Sequence, residues 1–125
     1  LMVYPGLADP LIVAESTQDY FDDMVDTTFG GDLATANDSA RLFMAPGMGH
    51  CGGGNGPNSW DKLLPLVDWV ENGNAPEQLI ATHSSDGEID NERPLCVAPR
   101  QARYTGPAGG ANNPANWKAE NFECR

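Results

Sequence analysis

Ala40-Arg41-Leu42-Phe43-Met44-Ala45, followed at once by Pro46-Gly47-Met48-Gly49-His50-Cys51-Gly52-Gly53-Gly54, is the stretch that decides how the chain reads. The first six residues read as a strand with Leu42, Phe43 and Met44 at its centre. The remainder is a loop on the C-terminal end of that strand, with five glycines between Gly47 and Gly54. Such a loop lets its backbone approach other groups closely. It carries His50, one of only two histidines in 125 residues.

Upstream, Leu1 to Tyr4 is a second short apolar run, stopped by Pro5-Gly6 and followed by Asp9-Pro10 and Leu11-Ile12-Val13. Ala14 to Thr28 predicts a helix with Tyr20, Phe21, Met24 and Val25 on one face and Asp19, Asp22, Asp23 and Asp26 on much of the other. Gly30-Gly31 stops it, and Asp32 to Ser39 reads as polar loop. Downstream, Asn58 or Ser59 can cap a helix reaching about Glu71, with Leu63, Leu64, Val67, Trp69 and Val70 on its apolar side. Pro65 predicts a kink or a late start there. Gln78 to Thr82 is a last short strand candidate. After Ser84 periodicity is weak, and Pro107 to Pro114 is Gly/Asn/Pro-rich coil. No internal repeat is visible.

Strands alternating with helices predict an α/β fold with a parallel sheet. Functional groups in such sheets gather at the carboxyl ends of the strands. Asp9 and His50 each sit just past a strand, so their separation of 41 residues becomes a short distance if the strands are neighbours.

The formal net charge of −11 and sequence pI of about 4.2 argue against a nucleic-acid partner, which needs clustered Lys and Arg. No run reaches the length of a membrane span. Cys51, Cys96 and Cys124 are an odd set, implying a partner elsewhere or a free thiol. Asn37-Asp38-Ser39 is an N-glycosylation sequon. The opening Leu1-Met2-Val3-Tyr4 reads as a strand already under way, so we expect a C-terminal piece of a larger, secreted protein.

A histidine side chain titrating near pH 6.5 suits a general base; read alone, His50 is equally a surface-loop residue. Asp9 can hold an imidazole in one tautomer and stabilise the imidazolium; read alone, it is a turn residue before Pro10. Their order, Asp then His, each after its own strand, matches the Ser…Asp…His arrangement of α/β-hydrolases. Cys51 could be a nucleophile, a zinc ligand or half of a disulfide. A disulfide pinning the histidine loop is the better reading. A cysteine adjacent to its base cannot easily present its sulfur to that imidazole, and zinc needs about four ligands. No metal site is expected in these residues. Gly47 to Gly52 fits G-x-G-x-x-G but leads into more glycine rather than a helix, so it is not a dinucleotide site. Ser16, Ser39, Ser59, Ser84 and Ser85 all lack a G-x-S-x-G setting.

The loop Pro46 to Gly54 carries a family resemblance, with Trp60-Asp61, Leu66-Val67-Asp68-Trp69-Val70-Glu71-Asn72-Gly73 and Ala75-Pro76-Glu77. So do Arg93-Pro94-Leu95-Cys96, Ala102-Arg103-Tyr104-Thr105-Gly106 and Asn121-Phe122-Glu123-Cys124. Together they resemble the C-terminal region of the tannase and feruloyl esterase family, and Gly6-Leu7-Ala8-Asp9-Pro10-Leu11-Ile12 looks like its acid loop. The resemblance implies the C-terminal portion of an α/β-hydrolase domain, residues 1–83, with 84–125 a loop-rich, disulfide-tied extension of the same domain. It implies Asp9 and His50 as catalytic acid and base, serving a serine upstream. It implies that Cys51 pairs with a Cys beside that serine, joining this segment to the upstream part of the enzyme, and that Cys96 pairs with Cys124. The implied substrates are small phenolic esters, of ferulate or gallate; the implied setting is extracellular, with no nucleic-acid or membrane partner. No cofactor is implied in this segment, although the family carries a structural calcium in a lid domain. Two alternatives stand beside this reading: an esterase for other aromatic esters such as a terephthalate monoester, and a disulfide-stapled secreted module without chemistry.

Overall fold

The computed structural model describes all 125 residues. At its centre lie two short parallel strands, β1 (Met2–Val3) and β2 (Arg41–Leu42), in the register Met2↔Arg41 and Val3↔Leu42. Backbone hydrogen bonds carry the pairing further: Arg41 N–H to Leu1 O, Phe43 N–H to Val3 O, Ala45 N–H to Pro5 O and Leu7 N–H to Ala45 O, at 2.8–3.0 Å. The expected strands at 1–4 and 40–45 are thus neighbours. Their connection is α1 (Ala14–Phe29), ended by Gly30, then the four-residue α2 (Leu33–Ala36).

Both faces of the second strand are covered, as befits a strand in a parallel sheet. Leu42 joins Phe21, Val25, Ala36 and Ala40 on the α1 side. Phe43 and Ala45 join Met48, Leu79, Ala81, Leu95 and Val97 on the other. The α1 face differs from the expected stripe at one position: Phe21 and Val25 are buried, but Tyr20 is exposed. The presumed loop at 32–39 contains α2 because the Asp32 carboxylate accepts from the Thr35 N–H at 3.1 Å, an N-cap at the start of a single turn.

The second helix has the late start that Pro65 predicts, but not the expected caps. It begins late, as α3 (Leu64–Asn72), with Pro65 in its first turn. Asp61 accepts from the Leu63 and Leu64 N–H groups at 2.9 Å. Asn58 and Ser59, the expected caps, instead hydrogen-bond to Thr82. None of the α3 residues is buried, so its apolar positions do not form a core face in these residues.

The region after Ser84 is more ordered than its weak periodicity implied. β3 (Gln78–Ser85) and β4 (Glu88–Cys96) form an antiparallel hairpin turning at Asp86-Gly87. Its base joins the parallel pair through the Phe43–Val97 bridge and the Ala98 N–H to Leu42 O bond of 2.8 Å. The hairpin crosses the boundary expected at residue 83, so 84–125 extends the fold rather than trailing from it. β5 (Ala102–Tyr104) and β6 (Phe122–Cys124) pair antiparallel, and a Cys96–Cys124 disulfide ties this pair to β4. No helix is long and apolar enough to cross a membrane.

Arg41 knots these parts together. Its buried guanidinium donates to Asn37 O, Pro76 O and the Glu77 carboxylate at 2.7–2.9 Å, and lies 5.5 Å from the Trp69 ring centre. Glu77 also meets Arg100. The hydrogen bond from Arg41 is the main cause of a lowered Glu77 pKa; burial opposes it and Arg100 adds to it. The stability Glu77 contributes is therefore present at neutral pH and lost as pH falls through its lowered pKa. Arg41→Ala leaves half-buried carbonyl acceptors unpaired, at up to about 1–3 kcal/mol each. Glu77→Gln disturbs a pair whose acid is largely exposed and worth about 0–1 kcal/mol. Denaturant titration should therefore show Arg41→Ala several-fold more destabilising than Glu77→Gln; equal losses would contradict the assignment. For the disulfide, closing a loop between residues 28 apart in sequence is worth about 3–4 kcal/mol on the chain-entropy model. The Cys96→Ala/Cys124→Ala protein should lose stability of that order, read from the same titration.

Candidate functional site

Two loops leave the carboxyl ends of the paired strands side by side. The acid loop starts at Gly6, whose parallel bridge to Ala45 is the last rung of the ladder. Ala8 N–H then donates to Met48 O at 2.9 Å and Asp9 N–H to Gly6 O at 3.3 Å, turning the chain over. Asp9 Oδ1 accepts from Leu11 N–H at 2.8 Å and Ile12 N–H at 3.1 Å, closing a turn over Pro10. The carboxylate is held from both neighbours, and its side chain is only 7% exposed.

The histidine loop is a narrow backbone hairpin. Gly49 N–H donates to Gly53 O and Gly56 N–H to Gly47 O, both at 3.1 Å, and Met48 bridges to Gly54. A Cβ at Gly54 would stand closer than 3.0 Å to the Gly47 carbonyl and the Gly49 nitrogen, at a φ of +88° that side chains rarely adopt. Met48 is fully buried in the core and anchors one arm. The tip presents His50 and Cys51, both exposed.

His50 Nδ1 lies 2.7 Å from Asp9 Oδ2. Burial works to raise the Asp9 carboxyl pKa, but the His50 hydrogen bond and the Leu11 and Ile12 N–H groups outweigh it, so the net shift is downward. Asp9 is thus ionised at neutral pH and can only accept, which places a proton on Nδ1; in the neutral imidazole the lone pair is then on Nε2. Nε2 has no hydrogen-bond partner in the chain, and no Ser hydroxyl bonds to it. The imidazole is 47% exposed. Cavities of about 460, 450 and 520 Å³ are lined by neither Asp9 nor His50. The imidazole is thus half-exposed over an enclosed carboxylate.

Of the remaining sequence candidates only Cys51 adjoins the pair. Cys51 is a free, exposed thiol beside His50, held at a φ of 60° that is unusual for a residue with a side chain. Cys96 and Cys124 are bonded to each other. Asn37 ends α2, half-buried, with its Oδ1 enclosed and without a partner. No three His, Cys, Asp or Glu side chains converge. Sequence reading did not single out a second imidazole–carboxylate pair, His83 Nδ1 to Asp90 Oδ1 at 2.6 Å, across β3 and β4. Nor did it single out the Leu11 and Ile12 N–H groups that fix Asp9; Asp9-Pro10 was the signal for that turn.

Comparison with known proteins agrees over nearly the whole chain. The family model described as "Tannase and feruloyl esterase" matches residues 1–124. The chain is 40% identical over 120 residues to the mono(2-hydroxyethyl) terephthalate hydrolase of Piscinibacter sakaiensis, covering 94% of this chain and 19% of that protein. It is 35% identical over 130 residues to the probable feruloyl esterase B-1 of Aspergillus fumigatus, covering 92% and 24%. Among solved structures, an esterase from Aspergillus oryzae superposes with a TM-score of 0.83 at 27% identity over 99% of this chain and 27% of that one. Feruloyl esterase B from Aspergillus oryzae gives 0.81 at 25%, over 99% and 26%. The chain thus spans roughly a fifth to a quarter of the length of these curated relatives and shares the fold of fungal esterases over that span. The chain belongs to the tannase and feruloyl esterase family.

Proposed function

We propose that these residues supply the acid and the base of a serine carboxylic ester hydrolase, within the C-terminal part of an α/β-hydrolase domain. The observation that carries this reading is the 2.7 Å contact between Asp9 and His50 Nδ1, made at the carboxyl ends of neighbouring parallel strands with Nε2 open.

A serine outside these residues attacks the ester carbonyl while His50 Nε2 takes its proton. The tetrahedral intermediate collapses, the acyl–alkoxy bond breaks, and the imidazolium returns the proton to the departing alcohol. His50 then deprotonates a water that hydrolyses the acyl-enzyme, and the serine leaves with the proton restored. Asp9 stays ionised throughout; it fixes the tautomer and stabilises the imidazolium.

The acyl group is that of a phenolic acid, ferulate or gallate; the feruloyl esterase relatives favour this. A second reading, an ester of terephthalate, is favoured by the 40% identical terephthalate monoester hydrolase. Rates on methyl ferulate, methyl gallate and mono(2-hydroxyethyl) terephthalate with the intact enzyme separate the two, and activity on none of them sinks both. The Cys96–Cys124 bond favours an oxidising, extracellular setting.

Cys51, on this reading, forms a disulfide with a cysteine beside the serine and so pins the histidine loop to the nucleophile.

Two sets of variants test the assignment. His50→Ala should reduce kcat to near background. Asp9→Asn should fold normally and lose kcat on the order of 10³–10⁴-fold, as a wrong tautomer does in serine hydrolases. Near-wild-type turnover in either variant removes that residue from the mechanism. Cys51→Ala should lower kcat by one to two orders of magnitude, since a loop misplacement of about 1 Å costs on the order of 100-fold, while the thermal midpoint moves little. Unchanged turnover, or a collapse of the midpoint matching the activity loss, counts against pinning.

A further inference from the structure

The acid and histidine loops meet backbone against backbone at Gly6, which is buried. A Cβ built on Gly6 would stand closer than 3.0 Å to Met48 O, Met48 C and Gly49 O. All three are backbone atoms, so no rotamer change relieves the contact. Gly6 is not in the left-handed region that favours glycine, so the position requires the absence of a side chain for space alone. Gly52, in the same histidine loop, has nothing within 4 Å of its Cβ position.

The neighbours decide where displacement goes. On one side Gly6 is clamped by the Gly6–Ala45 bridge and the Leu7 N–H to Ala45 O bond of 3.0 Å. On the other, Met48 is locked in the core, and its carbonyl accepts from Ala8. The freer element is Gly49, which is directly bonded to His50. Gly6 O meanwhile accepts the Asp9 N–H, so the acid takes its position from the same residue.

We infer that Gly6 is a positioning residue: its missing side chain sets the gap between the two loops, and thereby the Asp9–His50 contact. The inference rests on the proposed roles of Asp9 and His50. A methyl group there drives the Gly49 carbonyl away and, through the bonded His50, parts the pair while leaving both side chains present. The loss falls on turnover rather than on substrate binding.

The test is Gly6→Ala in the intact enzyme, alone and combined with Asp9→Asn. Gly6→Ala should cut kcat on the order of 100-fold, with KM changed by less than about 3-fold. The double variant should be no slower than Asp9→Asn alone, because the contact Gly6 protects is already lost. Wild-type kcat in Gly6→Ala, or losses that multiply in the double variant, overturn the inference. If Asp9→Asn itself is fully active, the catalytic reading fails first, and that outcome is distinguishable. Should Gly6→Ala not accumulate folded, Ala8→Pro goes through the same cycle. It replaces the Ala8–Met48 hydrogen bond by a ring carbon pressing on Met48 O, at an exposed position, with the same two outcomes expected.

Discussion

The register between the first strand and the second governs everything downstream of it. Met2 opposite Arg41 and Val3 opposite Leu42 fix Gly6 opposite Ala45, and hence where each chain leaves the sheet. A slip of one residue would turn Leu42 and Phe43 to each other's faces, exchanging two buried side chains between two filled cores. That penalty makes the register unique. It also gives the site its precision, because Asp9 and His50 lie only a few residues past the last rung.

From that ladder the histidine loop is built with little freedom. Met48 enters the core immediately after the strand, and the chain doubles back through Gly49 to Gly54 with backbone hydrogen bonds only. A loop so narrow has no room for a side chain at Gly47 or Gly54, whereas Gly52 and Gly53 meet open space, and His50 and Cys51 stand out at its tip. The acid loop is shorter and is fixed differently, by turning the Asp9 carboxylate onto the Leu11 and Ile12 N–H groups. One carboxylate oxygen organises the loop and the other addresses the imidazole.

These features were legible in the sequence to different degrees. The two strands, α1 and the glycine loop were visible because their signals are local: apolar runs, 3.6-residue spacing, Gly-Gly stops. Asp9 and His50 could be matched because each follows a strand. The hairpin at 78–96 was not visible beyond its first strand. Residues 84–93 are mostly polar and exposed, so the strand there is made by cross-strand pairing rather than by a buried alternating face. Pro65 signalled the late start of α3, but the caps were misassigned: Asp61 accepts the Leu63 and Leu64 N–H groups, while Asn58 and Ser59 are occupied with Thr82 in a contact that spans 23 residues and has no local signature. Tyr20 shows the limit of helical spacing: it borders the apolar stripe but finds no partner. The Cys96–Cys124 pairing came from family resemblance, not from spacing.

The pair His83–Asp90 argues for what distinguishes a site from a contact. Its Nδ1–carboxylate distance of 2.6 Å nearly equals the 2.7 Å of Asp9–His50, so distance alone does not separate them. The surroundings do. Asp90 is 45% exposed against 7% for Asp9, and no backbone N–H donates to it. It stands on a hairpin beside a register shift between His83 and Ser84. Against the opposing effect of burial, hydrogen bonds from His50 and from the Leu11 and Ile12 N–H groups lower the Asp9 pKa. A carboxylate fixed by two N–H groups keeps an imidazole in one orientation; one in water exchanges partners and holds it only part of the time. Preorganisation of the carboxylate, more than its proximity to the imidazole, is what the strand ends provide, and it explains why Asp9 lies within a turn built around its own oxygen.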